Sequence, residues 1–191
     1  IVRENTLSTD WKKIIPPDAP PPTVAPFDAA TAKQHQQAWA DYLDVPVEIT
    51  NSIGMKLRLI PPGEFLMGST EEQIEGYLQE ARENKDDRLW TRELPQHPVR
   101  LTAAFYLAVH QVTRGQFRRF VEATGYKTDA EKDGKGGTGR KDGEWVQDPQ
   151  CIWNGDLGFA QTDDHPVVAV SWNDAVAFCK WLSKQERAVY A

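Results

Sequence analysis

Six of the 13 prolines of this 191-residue chain fall between Pro16 and Pro26, in the run Pro16-Pro17-Asp18-Ala19-Pro20-Pro21-Pro22 and then at Pro26. Proline holds φ near about −65° and lacks the backbone N–H that a helix or a sheet ladder needs. Such a run is expected to be extended polyproline II, outside any ladder, so residues 1–26 read as a linker or tail. Whatever folds into a core lies behind it.

The remainder has the means to do so. Mean hydropathy is low at −0.58, but seven Trp, five Tyr and seven Phe each carry a large buried area. A net charge of −6 argues against a phosphate-backbone binder, which needs a dense excess of cations. No run approaches the roughly 20 apolar residues of a membrane-spanning helix. The chain opens at Ile1 rather than Met, so its start is silent on targeting and the compartment is left open. Cys151 and Cys179 are too few for a disulfide framework and form no C-x-x-C pair. They are expected to be one loop thiol and one buried core thiol, respectively.

Periodicity divides the rest. Asp28 is placed to cap a helix to about Leu43, with Ala32, His35, Trp39 and Tyr42 on one stripe. His35 is expected to be packed and hydrogen-bonded there. From Met55 the period becomes two, because Met55, Leu57 and Leu59 alternate with Lys56 and Arg58. Phe65 and Met67 resume on one face after Pro61-Pro62-Gly63, which reads as a hairpin or two neighbouring strands. Ser69 with Glu72 reads as a capping box for a helix carrying Ile74, Tyr77, Leu78 and Ala81. Residues 83–96 read as an exposed loop anchored by Trp90, and His97–Leu101 and Phe105–Val109 as strands. Thr113 with Gln116 opens a helix that buries Phe117, Phe120, Val121 and Thr124 and ends at Gly125. The stretch 126–149 reads as a long surface loop, with Trp145, Trp153 and Phe159 folding back on the core. Val167–Val170 reads as a short strand. Ser171 and Asp174 bracket a last helix, apolar nearly all round and expected to be enclosed on most sides.

Spacing alone yields no catalytic set. Gly134-Lys135-Gly136-Gly137-Thr138-Gly139-Arg140-Lys141 approaches a phosphate loop but lacks the Lys-Ser/Thr pair and a preceding apolar strand. Asp163-Asp164-His165 offers oxygen and nitrogen donors, but adjacent loop residues rarely converge on one ion, and the two aspartates read as partners of turn amides. His110 has no nearby nucleophile or orienting carboxylate. An apolar setting for Cys179 makes it a poor nucleophile. We therefore assign no catalytic, cofactor-binding or metal-binding residue within the chain.

Three blocks in order resemble one known family, the formylglycine-generating-enzyme or sulfatase-modifying-factor domain. The first is Asn51-Ser52-Ile53-Gly54-Met55 leading to Ile60-Pro61-Pro62-Gly63-Glu64-Phe65-Leu66-Met67-Gly68-Ser69. The second is Phe105-Tyr106-Leu107 with Val112-Thr113 and Phe117, Phe120 and Val121. The third is Asp164-His165-Pro166-Val167-Val168 with Val170-Ser171-Trp172-Asn173-Asp174-Ala175, Phe178-Cys179 and Trp181-Leu182. The lead-in resembles that of bacterial multidomain relatives. The resemblance implies an α+β fold with little regular secondary structure, related to the C-type lectin-like fold. It divides the chain into a proline-rich stretch at 1–26, a helical lead-in at 27–48 and a family domain at 49–191.

Active members of that family oxidise a cysteine of a sulfatase to formylglycine, using oxygen and copper(I) held by a cysteine pair. The resemblance places that pair, and the family's calcium ligands, in a C-terminal half. That half would begin with an arginine-leucine-proline-threonine segment expected near Tyr190. Neither Cys151 nor Cys179 matches the pair. The expectation is thus an N-terminal portion of the domain, inactive alone, needing the rest of the domain or a completing partner and serving a sulfatase or another protein as substrate. The alternative is a non-catalytic binding module on the same scaffold.

Overall fold

A computed structural model describes residues 15–81 and 90–191. Their elements, in order, are β1 (Thr23–Val24), α1 (Ala29–Leu43), β2 (Glu48–Thr50), β3 (Lys56–Ile60), β4 (Gly63–Met67), α2 (Glu71–Ala81), β5 (His97–Leu101), β6 (Phe105–Ala108), α3 (Arg114–Thr124), α4 (Asp129–Lys132), β7 (Gly137–Lys141), β8 (Glu144–Asp148) and α5 (Trp172–Glu186). This is a mixed fold of short helices and small sheets, with long irregular connections. The sheets run β1-β4-β5, β2-β3-β6 and β7-β8. The described residues divide into two compact units, one within 15–47 and 59–106, the other from 48–58 and 107–191.

In the first unit α1 starts as its sequence requires. The Asp28 carboxylate accepts the Thr31 N–H at 2.7 Å, and Asp44 closes the far end in the left-handed region. Trp39 and Ala40 face Ile15 and Leu59 in a small core, with Tyr42 edge-on to Trp39. The proline run stays out of the ladder, but the residues behind it join one. Thr23 and Ala25 retain N–H groups and donate to Pro62 O and Glu64 O, at 2.9 and 3.0 Å, so β1 pairs parallel with β4. Gly63 is required at that contact, because a Cβ there would overlap Thr23.

Of the two readings of residues 55–67, a hairpin or two neighbouring strands, the structure has two successive short strands and no hairpin. β3 and β4 follow one another but belong to different sheets, since Pro61 and Pro62 redirect the chain between them. β4 instead pairs antiparallel with β5, Phe65 opposite Val99 and Met67 opposite His97. Met55, Leu57 and Leu59 are buried as their alternation requires, whereas Phe65, Leu66 and Met67 are exposed. The cap of α2 lies one residue later than Ser69 and Glu72. Thr70 and Gln73 form the reciprocal box, at 2.8 and 3.2 Å, and the Ser69 hydroxyl donates to Glu93. Of the expected α2 stripe, Ile74 is buried and Tyr77 exposed. The Leu78, Ala81 and Trp90 side chains, like most of the expected loop at 83–96, lie outside what the structure describes.

The second unit is built on aromatic rings. Phe117 stacks on Phe178 at 6.0 Å and meets Phe120 and Trp153 edge-on, both at 5.4 Å; Phe120 in turn contacts Trp181 at 5.6 Å. α3 begins with both halves of the Thr113–Gln116 box and ends at Gly125, whose N–H donates to Val121 O. Val121 is only half-buried and Thr124 exposed.

The stretch 126–149 is structured. It contains α4 and an antiparallel β7–β8 hairpin turning at Asp142-Gly143, both with positive φ, at 52° and 89°. Trp153 is 3% exposed, as expected. Trp145, at 67%, and Phe159 do not fold back on the core. Val167–Val170 is not a strand. Only a bridge between Thr113 and Pro166 forms, and Ala169 turns the chain at φ 56°. α5 buries one stripe, Asp174, Phe178 and Leu182, rather than most sides.

Candidate functional site

The most organised polar centre of the second unit joins the starts of α4 and α5. Asp174 is 0% exposed, and a carboxylate so enclosed needs partners for its oxygens. Its Oδ1 accepts the Tyr126 hydroxyl at 3.0 Å and the Asp129 N–H at 3.1 Å, and its Oδ2 accepts the Ser171 N–H at 2.8 Å. The Ser171 hydroxyl accepts the Asp174 N–H at 3.2 Å and donates to Asp129 Oδ2 at 2.6 Å, where Asn173 Nδ2 also donates at 3.0 Å. These bonds from Ser171 and then Asn173 hold the Asp129 carboxyl below its usual range. Burial, followed by the bond to Asp174, pushes the Tyr126 hydroxyl up. These bonds clamp the starts of α4 and α5 together.

The two thiols exchange their expected surroundings. Cys151 sits in a loop but is buried, its Sγ–H directed at Asp156 O at 3.3 Å. It lies so close to Gly139 that a Cβ at that position would overlap its sulfur. Cys179, on the apolar helix, is only half-buried. Burial raises both thiol pKa values, with Asp148 and Asp156 adding to the effect at Cys151.

Asp163, Asp164 and His165 do not converge on an ion. Asp163 pairs with Arg118 at 2.6 Å, which lowers its pKa, and its backbone carbonyl accepts the Gly115 N–H. The turn amides find other acceptors. His165 Nδ1 receives the Thr162 N–H at 2.9 Å, and the Asp164 N–H reaches the Thr162 hydroxyl at 3.4 Å. The glycine-rich run at 134–141 leads into β7 rather than a helix start, and so makes no phosphate cradle. His110 is exposed. His35 packs edge-on against Phe27 at 5.5 Å, but its ring nitrogens find no hydrogen-bond partner among the described residues.

Copper(I) selects soft thiolate ligands. Cys151 lies in a loop with its Sγ–H directed at Asp156 O and Cys179 stands on α5, so the two come from separate elements rather than from one paired thiolate site. Calcium needs six to eight oxygen ligands. The adjacent carboxylates Asp129 and Asp174 are committed to the donors above, and no group of three or more His, Cys, Asp or Glu side chains gathers among the described residues. No described helix is long and apolar enough to cross a membrane.

Residues 48–190 match the model of the sulfatase-modifying factor enzyme 1-like domain. The chain is 33% identical over 150 residues to the formylglycine-generating enzyme of Bos taurus, covering 68% of this chain and 36% of that protein. It is 32% identical over 161 residues to the formylglycine-generating enzyme of Thermomonospora curvata, covering 74% and 48%. It thus spans between about a third and a half of the length of these relatives. The solved structure of PvdO from Pseudomonas aeruginosa superposes with a TM-score of 0.48 and 22% identity, over 72% of this chain and 43% of that one. With the match extending over most of its length, the chain belongs to the sulfatase-modifying factor enzyme 1-like family.

Proposed function

We propose that residues 48–190 are the N-terminal framework of a formylglycine-generating-enzyme-like domain. The reaction served is oxidation of a sulfatase cysteine to formylglycine, and the chain lacks the copper-binding half of the domain. The family match over residues 48–190 carries this reading. The placement of the thiols supports its second part, because Cys151 sits in a loop against Asp156 O and Cys179 stands on α5. A cysteine pair outside this stretch would hold copper(I), which would supply the activation of oxygen. This chain's own residues supply packing and position. The Asp174 clamp fixes the start of α5, and the aromatic cluster seats its buried stripe.

In this reading residues 27–48 are a helical lead-in to the family domain, and the end of the proline-rich stretch is packed rather than a free linker, with Ile15 in the core and Thr23–Val24 paired with β4. Trp172, 78% exposed at the start of α5, belongs to a surface that the rest of the domain covers. The test uses the full reading frame from the source organism, incubated with oxygen, copper and a peptide bearing a sulfatase cysteine motif. Conversion of the peptide thiol to an aldehyde, lost when cysteines encoded outside residues 1–191 are changed to serine, is the expected result. An unconverted peptide with a copper-loaded, folded protein would overturn the oxidase reading in favour of a binding module.

A further inference from the structure

The described residues of the first unit enclose a cleft of about 380 Å³. Much of it is made by residues that precede the family match, Phe27 and Ala32 among them. Its walls are apolar: Phe27 before α1, Ala32 on α1, Ile60 at the end of β3, Phe65 on β4 and Leu101 on β5. Thr23 packed on Gly63 fixes the wall that β1 and β4 share. For scale, a dry cavity of about 150 Å³ lined by aliphatic and aromatic side chains holds benzene.

The polar groups here are few and specific. Glu64 is paired with Arg100 at 2.6 Å, so its carboxylate is already neutralised. Gln36 donates its Nε2 to Leu59 O at 3.1 Å, which leaves Oε1 without a protein partner among the described residues. His35 also lines the cleft, with Phe27 edge-on to its ring and no hydrogen bond to either nitrogen among the described residues. His35 and Gln36 are half-buried, so water meets these acceptors until an occupant that is flat, uncharged and able to donate a hydrogen bond takes its place against the apolar walls.

We propose that this cleft binds a small neutral aromatic molecule carrying one N–H or O–H donor, which His35 or Gln36 accepts while Phe27 and Phe65 flank the ring. The reading is independent of the oxidase assignment, because it uses no cysteine and no residue of the second unit.

Indole is the probe, with indene as its counterpart of nearly the same shape but without the donor. Both are titrated into the full 191-residue chain by NMR, with calorimetry for the affinity. Expected are saturable indole binding, with Kd on the order of 0.1–1 mM for a ligand of this size, and shifts confined to Phe27, Ala32, His35 and their neighbours. Indene should bind roughly tenfold more weakly, as loss of one hydrogen bond implies. Ala32→Trp should abolish binding, and His35→Phe should narrow the gap between the two probes. Absence of saturation, shifts that map elsewhere on the wild-type chain, or equal affinity for indene would overturn the proposal. So would indole binding that survives in a folded Ala32→Trp variant. Because the wild-type shift map decides the location, an unfolded variant leaves the test intact.

Discussion

The two units bury their hydrophobic residues by different routes. In the second, Phe117, Phe120, Phe178, Trp153 and Trp181 interlock, and α3 and α5, which carry four of them, each start at a capping box, that of α5 built on the buried Asp174 carboxylate. In the first, Ile15, Trp39, Ala40 and Leu59 form a small core, while Val24, Phe65, Leu66 and Met67 remain exposed. Dense aromatic packing on capped helices specifies one arrangement. A thin core beneath short strands leaves a cleft and an uncovered ribbon. The first unit therefore carries the apolar cleft, while the second exposes Trp145 and Trp172 around a core whose internal order must be kept.

The largest effects should come from the aromatic cluster. Phe117→Ala should cost about 3–5 kcal/mol, the range for emptying a fully packed aromatic site, read as a shift in a urea unfolding midpoint. Asp174→Ala should come next, at about 3 kcal/mol, because it strands the Tyr126 hydroxyl and the Ser171 and Asp129 amides away from water. Asp174→Asn, which keeps an acceptor, should recover part of that loss, and failure to do so would count against the clamp.

A pH effect should be smaller. The Asp129 and Asp163 carboxyls are held below their usual pKa by Ser171 and by Arg118 respectively. Their contribution is present above the ordinary carboxylate pKa of about 4 and is lost as pH falls through the lowered values. Stability should thus decline below about pH 4, and Asp129→Asn should make that decline shallower in an acid titration followed by circular dichroism. The smallest effect is expected at Leu66, 63% exposed. Leu66→Ser should change stability by no more than about 0.5 kcal/mol. A larger loss would mean that the ribbon is covered in the chain studied.

Legibility from sequence follows the range of the interaction that decides each feature. The starts of α1, α3 and α5 depend on residues three apart, and Asp28, Thr113 with Gln116, and Ser171 with Asp174 were all readable in advance. The α2 cap was displaced by one residue because the Ser69 hydroxyl was taken by Glu93, a contact 24 residues away. The β7–β8 hairpin carried a local signal, Asp142-Gly143, hidden by strand residues that look like loop. Gly137 and Gly139 are there because the loop at Cys151 approaches so closely, a long-range demand with no local mark. The same limit explains the thiols, since membership of an apolar helix did not reveal that Cys179 lies off its buried stripe. At the polar centre, the Ser171–Asp174 box was legible but its partners Tyr126 and Asp129 were not, because they come from a different helix start. The cleft walls, drawn from β1, α1, β3, β4 and β5, had no contiguous signature at all.

The central claim is that this chain is framework without the redox pair, and the most direct test is an assay of the 191-residue chain alone. It would be supplied with copper(I), oxygen and a sulfatase-motif peptide, and aldehyde would be read by mass spectrometry. The account predicts a folded protein and an unchanged peptide thiol. Aldehyde formed by this chain, and abolished by Cys151→Ser or Cys179→Ser, would contradict it.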